Sequence, residues 1–300
     1  MADDEFALLP ENAAEAGLAF STPPVRRVSR GPVSAIAWGT GPADVVLVHG
    51  GGQNAHTWDT VVLHLLDRFP SLNLLAVDLP GHGRSDWRDD GDYAPQTSSA
   101  TLEPVLDALA PRPKLVVGMS LGGMVTIRLA ATRPDLVPRA VIVDVTPSAG
   151  ERAQAMTTAQ RGTVALIAGP PSYDTFEEMV SATVAAAPAS RSEASVRRGG
   201  RHNSRQDEDG RWVWRYDRRP RQAGAPGGDS LWDDLERSTA PMTLVRGGAS
   251  AFVSDEDATE FVRRHPNTTV HVVHGSGHSV QSDAPATLAD IIAGVLAPVV

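Results

Sequence analysis

Ser120 lies at the centre of Gly118-Met119-Ser120-Leu121-Gly122, directly after the apolar run Lys114 to Val117 and directly before a helical stretch from Gly123 to Ala131. A strand that turns sharply into a helix leaves the central serine exposed on a strained backbone, and the flanking glycines keep side chains from colliding there. That is the pattern of a nucleophile elbow, with Ser120 as the nucleophile. Serine attacks poorly until a base takes its proton and a third group orients that base. A histidine and a carboxylate must therefore be found elsewhere in the chain.

The elements that would position them are legible in order. Val25 to Val28 and Val33 to Trp38 read as strands around a Gly31-Pro32 turn. Asp44 to His49 is a continuous apolar run closed by Gly50-Gly51-Gly52, as expected of a buried strand ending in a loop. Helical spacing from Asn54 to Arg68 puts Trp58, Val61, Val62 and Leu65 on one side, and a strand follows from Leu72 to Val77. Strand, helix, strand implies a parallel sheet. A helix around Ser98 to Leu109 precedes the elbow strand; later come strands at Ala140 to Asp144, Pro241 to Arg246 and Thr268 to Val273, and a last helix from Ala284 to Leu296.

The expected fold is α/β, a mostly parallel eight-stranded sheet flanked by helices. Residues 1–22 form an arm outside the core, free to pack on a second subunit; 23–146 and 236–300 form the core; 147–235 form a cap inserted after the sixth strand. The inserted segment has helical stretches (Glu151 to Ala168, Thr175 to Ala187), a Trp-bearing extended piece and a Gly/Pro-rich return. An insertion between parallel strands should sit over their carboxyl ends, where ligands of open α/β sheets bind.

Composition narrows the function. With 41% hydrophobic and 21% charged residues the chain reads as a soluble globular protein, and no stretch approaches the roughly 18 apolar residues of a membrane span. A formal charge of -9 argues against a nucleic-acid partner, the arginines from Arg197 to Arg221 reading as a solvated face. The absence of cysteine excludes disulfides, thiolate catalysis and zinc-thiolate sites. The acidic start, Met1 to Glu5, is unlike a secretory signal, so the expected location is cytoplasmic.

His49-Gly50 with Trp58 downstream, Asp78-Leu-Pro-Gly-His-Gly-Arg-Ser85, the elbow, and Gly275-Ser-Gly-His278 occur in the order seen in the α/β-hydrolase superfamily. The chain resembles its cap-bearing branch over about residues 25 to 145 and 235 to 298. The resemblance implies the order nucleophile, acid, base. It makes His278 the base, with His274 at the strand end as the lesser candidate. In most of the family the acid follows the strand that here is Pro241 to Arg246, at a place that falls on Ser250, which cannot carry the charge. The later acids Asp255, Glu256 and Asp257 are explained by helix capping and the helix dipole. Some members place the acid on the strand after the elbow helix, where Asp144 stands. A carboxylate closing a buried strand needs a partner, and His278 would supply it. Asp144 is preferred and Asp255 is the alternative.

By the same resemblance the oxyanion hole comprises the backbone N–H groups of Leu121 and Gly51, with Gly52 a weaker candidate. Asp78, His82 and Arg84 are expected to tie loops together. Asn54 and His56 read as helix-start residues, and Trp212, Trp214 and Tyr216 either pack the cap or form an aromatic wall for substrate.

Ser120 disfavours epoxide or dehalogenase chemistry, which needs a carboxylate there. The expected activity is hydrolysis of a carboxylic ester or lactone, such as a bulky aromatic or macrocyclic lactone, with no cofactor, no metal and no nucleic-acid or membrane partner, and with a homodimer possible. Two alternatives stand beside it. One is hydrolysis of a carbon–carbon bond in a ring-cleavage product, with Arg197, Arg198 and Arg201 holding a substrate carboxylate. The other is a non-catalytic ligand-binding protein.

Overall fold

Short apolar runs bounded by glycine, proline and polar residues become strands, and longer runs with helical spacing become the helices that cover them. In the computed structural model, which describes residues 4–19, 21–189, 191–219 and 230–297, helix α1 (Leu9–Glu15) is followed by β1 (Val25–Arg30), β2 (Val33–Trp38) and β3 (Val45–Val48). A 3-10 turn (Ala55–Trp58) leads into α2 (Asp59–Arg68), then β4 (Leu74–Val77), α3 (Pro95–Leu109), β5 (Leu115–Met119), α4 (Leu121–Thr132) and β6 (Ala140–Val143). After the inserted segment come β9 (Met242–Gly247), α10 (Asp255–Arg264), β10 (Thr268–Val273), α11 (Val280–Asp283) and α12 (Pro285–Leu296). The insertion itself holds α5 (Ala149–Ala155), α6 (Thr158–Arg161), α7 (Phe176–Ala186), α8 (Glu193–Asn203), a small hairpin of β7 (Ser204–Gln206) and β8 (Trp212–Trp214), and α9 (Leu231–Arg237).

The main sheet has eight strands in the order β1-β2-β4-β3-β5-β6-β9-β10. β1 pairs antiparallel with β2 and β2 antiparallel with β4, and the other neighbours are parallel. Alternation along the strands divides the core between the two faces. Val46 and Val48 face α3, α4, α9 and α10, whereas Val45 and Leu47 face α2 and α12.

Several elements depart from the sequence reading. The stretch expected to be helical from Glu151 to Ala168 is broken into α5, α6 and a 3-10 segment (Gly162–Ala168), because Gly162 sits at φ 52, where an α-helix cannot continue. The Arg-rich stretch contains α8, and the Gly/Pro-rich return lies outside the described residues. The arm is not separate from the core: Leu9 and Ala13, one helical turn apart, are buried, Leu9 among the residues of α2 and α12, while Asn12 Oδ1 accepts from Thr60 Oγ1 at 2.9 Å. No helix among the described residues is long and apolar enough to cross a membrane.

Two features fix the carboxyl end of β3 against the elbow. A Cβ on Gly122 would overlap the carbonyl oxygens of Val48 and His49, so only glycine lets α4 start this close to β3. His49, fully buried, uses both ring nitrogens: Nδ1–H donates to Gly50 O at 2.7 Å and Nε2 accepts from Leu79 N at 2.9 Å. Burial pushes its pKa down to about 4, against a smaller opposing effect of the Gly50 carbonyl.

Gly122→Ala should therefore destabilise the fold by about 3 kcal/mol, since the overlap is with backbone that has no room to relax; a urea midpoint that does not move would contradict this packing. His49 gains its proton near pH 6.5 when unfolded and only near 4 when folded. The unfolded chain then binds the extra proton between those values, so stability is full above pH 6.5 and falls as pH drops, by about 2 kcal/mol at pH 5. Urea unfolding at a series of pH values should show a slope that is shallower by about one proton in His49→Asn.

Candidate functional site

Ser120 follows the last residue of β5 at φ 50 and ψ -116, a conformation rare for anything but glycine. It is held there by its own N–H donating to Val143 O and by Met124 N–H donating to Ser120 O, both at 3.0 Å. Asp144, at the end of the neighbouring strand β6, also has φ 50. Among the described residues these two are the non-glycine positions with positive φ. Backbone strain of this kind persists where surrounding structure over-determines it, and it gathers at functional sites.

The Asp144 side chain has no exposed surface and three partners. His278 Nδ1–H donates to Oδ2 at 2.8 Å, Gly247 N–H donates to Oδ1 at 2.8 Å, and Ser250 Oγ–H donates to Oδ2. The bond at Nδ1 fixes the histidine tautomer and leaves the lone pair on Nε2. Nε2 is buried and has no hydrogen-bond partner among the described residues, so no bond joins it to Ser120 Oγ. Such bonds commonly tighten only with substrate present. Phe252 lies flat on the imidazole, with ring centroids 3.6 Å apart at 17°.

The other candidates fall elsewhere. Asp255 heads α10 with its side chain 89% exposed and paired to Arg246. His274 is exposed. Ser250, at the place where most of the family carries its acid, instead supports Asp144.

The glycine loop after β3 lies against the nucleophile: a Cβ on Gly50 would come within 3.2 Å of Ser120 Cβ. Gly51 is next, and Leu121 opens α4, where the first N–H groups have no acceptor inside the helix and form the positive end of its dipole. Gln53, not singled out in the sequence, braces this loop. Its Oε1 accepts from Gly50 N–H at 3.1 Å and from Gln281 Nε2 at 3.3 Å, and its Nε2 donates to Ser279 Oγ, beside His278, at 3.4 Å.

A cavity of about 480 Å³ opens beside these loops, between the core, α1 and the inserted segment. Gly51, Gly52 and Ser279 form part of its wall, whereas Ser120 and His278 adjoin it only through those neighbours. Its lining includes the apolar side chains of Val164, Ile167, Trp214 and Tyr216 and the polar ones of Asn12, His56, Asp59 and His202. Trp214 and Tyr216 stack at 6.0 Å, and burial raises the Tyr216 pKa, keeping the phenol neutral. Trp212 corrects the expectation of a common aromatic wall: it packs on Phe176 at 4.9 Å and does not line the cavity.

The arginines of the inserted segment also differ from expectation. Arg198 is buried and pairs with Glu11 and Glu15 of α1; Arg197 pairs with Glu177 and Glu193; Arg201 lies over the Phe176 ring at 4.3 Å. Arg197 and Arg198 thus have their carboxylates already. Asp78 ties loops as expected, its carboxylate accepting from Ala55 N, Arg84 N and Arg27 Nη1. Asn54 caps the 3-10 turn, and both it and His56 line the cavity. Where the sequence showed no metal-ligand spacing, His56, Asp59 and His202 converge, brought together from positions nearly 150 residues apart.

Residues 45–291 match the alpha/beta hydrolase family. The esterase Rv0045c of Mycobacterium tuberculosis is 54% identical over 98% of this chain and 96% of its own. Two solved structures of that esterase, one from work on its inhibition by transition metals, align over 99% of this chain and 99–100% of theirs, with TM-scores of 0.86 and 0.85. The structure of an E-2-(acetamidomethylene)succinate hydrolase, 24% identical, covers 91% of this chain and 99% of its own with a TM-score of 0.75, a likeness of fold. On this similarity, with the strained Ser120 and Asp144 at the ends of the adjacent strands β5 and β6 and His278 bonded to Asp144 from the loop after β10, the chain belongs to the alpha/beta hydrolase family, among its carboxylic ester hydrolases.

Proposed function

We propose that the protein hydrolyses carboxylic esters through an acyl-enzyme on Ser120, with His278 as general base and Asp144 as the acid that orients it. The observation that carries the reading is the buried 2.8 Å bond from His278 Nδ1 to Asp144, which leaves Nε2 as an unpartnered proton acceptor. Ser120 Oγ attacks the ester carbonyl carbon while Nε2 takes its proton. Charge develops on the carbonyl oxygen, and the N–H groups of Leu121 and Gly51 stabilise it. The tetrahedral intermediate collapses as Nε2–H protonates the departing alcohol oxygen. A water molecule, deprotonated by the same nitrogen, then attacks the acyl carbon and releases the acid and Ser120.

The inserted segment acts as a cap. Its Val164, Ile167, Trp214 and Tyr216 support an apolar acyl or alcohol group, and the cavity volume suits a substrate of modest size. A lactone is chemically equivalent to an ester for this machinery, its leaving alcohol staying attached to the acyl chain. Carbon–carbon bond hydrolysis finds less support, because Arg197 and Arg198 are neutralised by Glu177, Glu193, Glu11 and Glu15. The cytoplasmic location belongs to the same reading.

Ser120→Ala should lose turnover of short p-nitrophenyl esters by ~10⁴-fold or more while remaining folded; unchanged turnover would rule out the acyl-enzyme. Asp144→Asn should lower kcat by about 10⁴-fold and Asp255→Asn by less than about twofold. The reverse result would move the acid to Asp255. Ser250→Ala removes one hydrogen bond to the Asp144 charge, worth about 1.5–3 kcal/mol. Its kcat/KM should fall roughly tenfold or more, and an unchanged value would make Ser250 a bystander.

A further inference from the structure

Three ligand-type side chains meet in the wall of the cavity, of which Ser120 is not a lining residue. His56 and Asp59 stand three residues apart at the entry to α2, so both face the same side, with Nδ1 of the first 2.8 Å from Oδ2 of the second. His202, from α8 of the insertion, lays its ring on that of His56 with centroids 3.6 Å apart at 13°. One ligand atom from each of the three falls within 4.8 Å of the other two. We propose that His56, Asp59 and His202 bind a single divalent transition-metal ion of the zinc class, which ties the insertion to the core.

The donor set suits such an ion, since two imidazoles and a carboxylate are the ligands zinc takes in three-protein-ligand sites. Ligand atoms about 2.1 Å from a tetrahedral ion stand about 3.4 Å apart. The His56–Asp59 pair, at 2.8 Å, is near that spacing already, and the ion would require the His56 and His202 rings to tilt out of their stack so that a His202 nitrogen reaches the same point. All three residues line the cavity, which gives the ion an entry path and leaves its fourth position to water. Imidazole ligates only when neutral, so binding should weaken as pH falls.

The surroundings are compatible with a cation. Metal at His56 Nδ1 displaces the proton to Nε2, where Glu5 Oε1 lies 4.0 Å away and Arg27 Nη2 3.5 Å away. The carboxylate is the partner that a metal-bound histidine commonly uses, and the ring turns toward it. Arg27 and Arg84 are the nearby cations; Arg27 pairs with Asp78 and Glu5, and Arg84 with Glu5. With Asp59, three carboxylates face two guanidinium groups. The ion would also reinforce an existing joint, because Asn203, next to His202, donates to Gly52 O at 2.7 Å and accepts from Asn54 Nδ2 at 3.1 Å.

The test is calorimetric titration of the untagged, chelator-treated protein with zinc, together with the visible spectrum of the cobalt form and a thermal unfolding scan. The expected result is one saturable site, a four-coordinate cobalt spectrum and a raised Tm. Binding should weaken at least tenfold in His202→Ala, in the gentler His202→Gln and in Asp59→Asn, each shown to be folded by its metal-free thermal unfolding transition. His274→Ala, which removes an exposed histidine, should bind as wild type does. Absence of saturable zinc binding by the wild type, or stoichiometric binding retained in both the His202 and Asp59 variants, would overturn the proposal.

Discussion

An ionised carboxylate with no exposure to water is the constraint around which this site is built. Left alone in the interior, the Asp144 charge would cost several kcal/mol, and it is tolerated because three donors reach it. Those donors come from the end of β9, the loop after it and the loop after β10. Satisfying one side chain therefore pins three separate pieces of backbone and sets the imidazole of His278 in a single tautomer. The positive φ of Asp144 belongs to the same arrangement. The strain is held by Asp144 N–H donating to Val245 O at 2.7 Å and by the contacts of the carboxylate itself.

A second set of constraints acts on the other side of Ser120. Close approach of α4 to the end of β3 depends on Gly122 having no side chain, and the Gly50 loop reaches Ser120 for the same reason. Gln53 then links this loop to Ser279, so the groups proposed to stabilise charge and the groups proposed to move protons share one hydrogen-bonded frame. The inserted segment joins that frame through Asn203 and Gly52. Helix α1 joins it through the pairing of Arg198 with Glu11 and Glu15, which makes the arm part of the cavity wall.

The sheet was legible because its strands are buried on both faces and so read as unbroken apolar runs, as at Val45–Val48 and Ala140–Val143. Ser120 was legible because the elbow needs small residues at fixed spacing. Asp144 and His278 came from the resemblance to the family's motif order, and the need of a buried carboxylate for a partner favoured their pairing. What escaped the sequence depends on contacts between distant segments. Ser250 and Phe252 carry no signal until β9 is placed beside β6, and His56, Asp59 and His202 share no local pattern. Helix α8 was hidden by its arginines, which read as solvent-facing until Glu11 and Glu15 of α1 are brought against Arg198. The stretch from Glu151 to Ala168 kept helical composition, yet Gly162 interrupts it.

The claim that the buried Asp144 orients His278 is tested most directly by proton NMR of the imidazole Nδ1–H. The wild type and Asp255→Asn should show a low-field resonance from the 2.8 Å bond to the carboxylate, and folded Asp144→Asn should lack it. A resonance that persists in Asp144→Asn, or that vanishes in Asp255→Asn, would contradict the account.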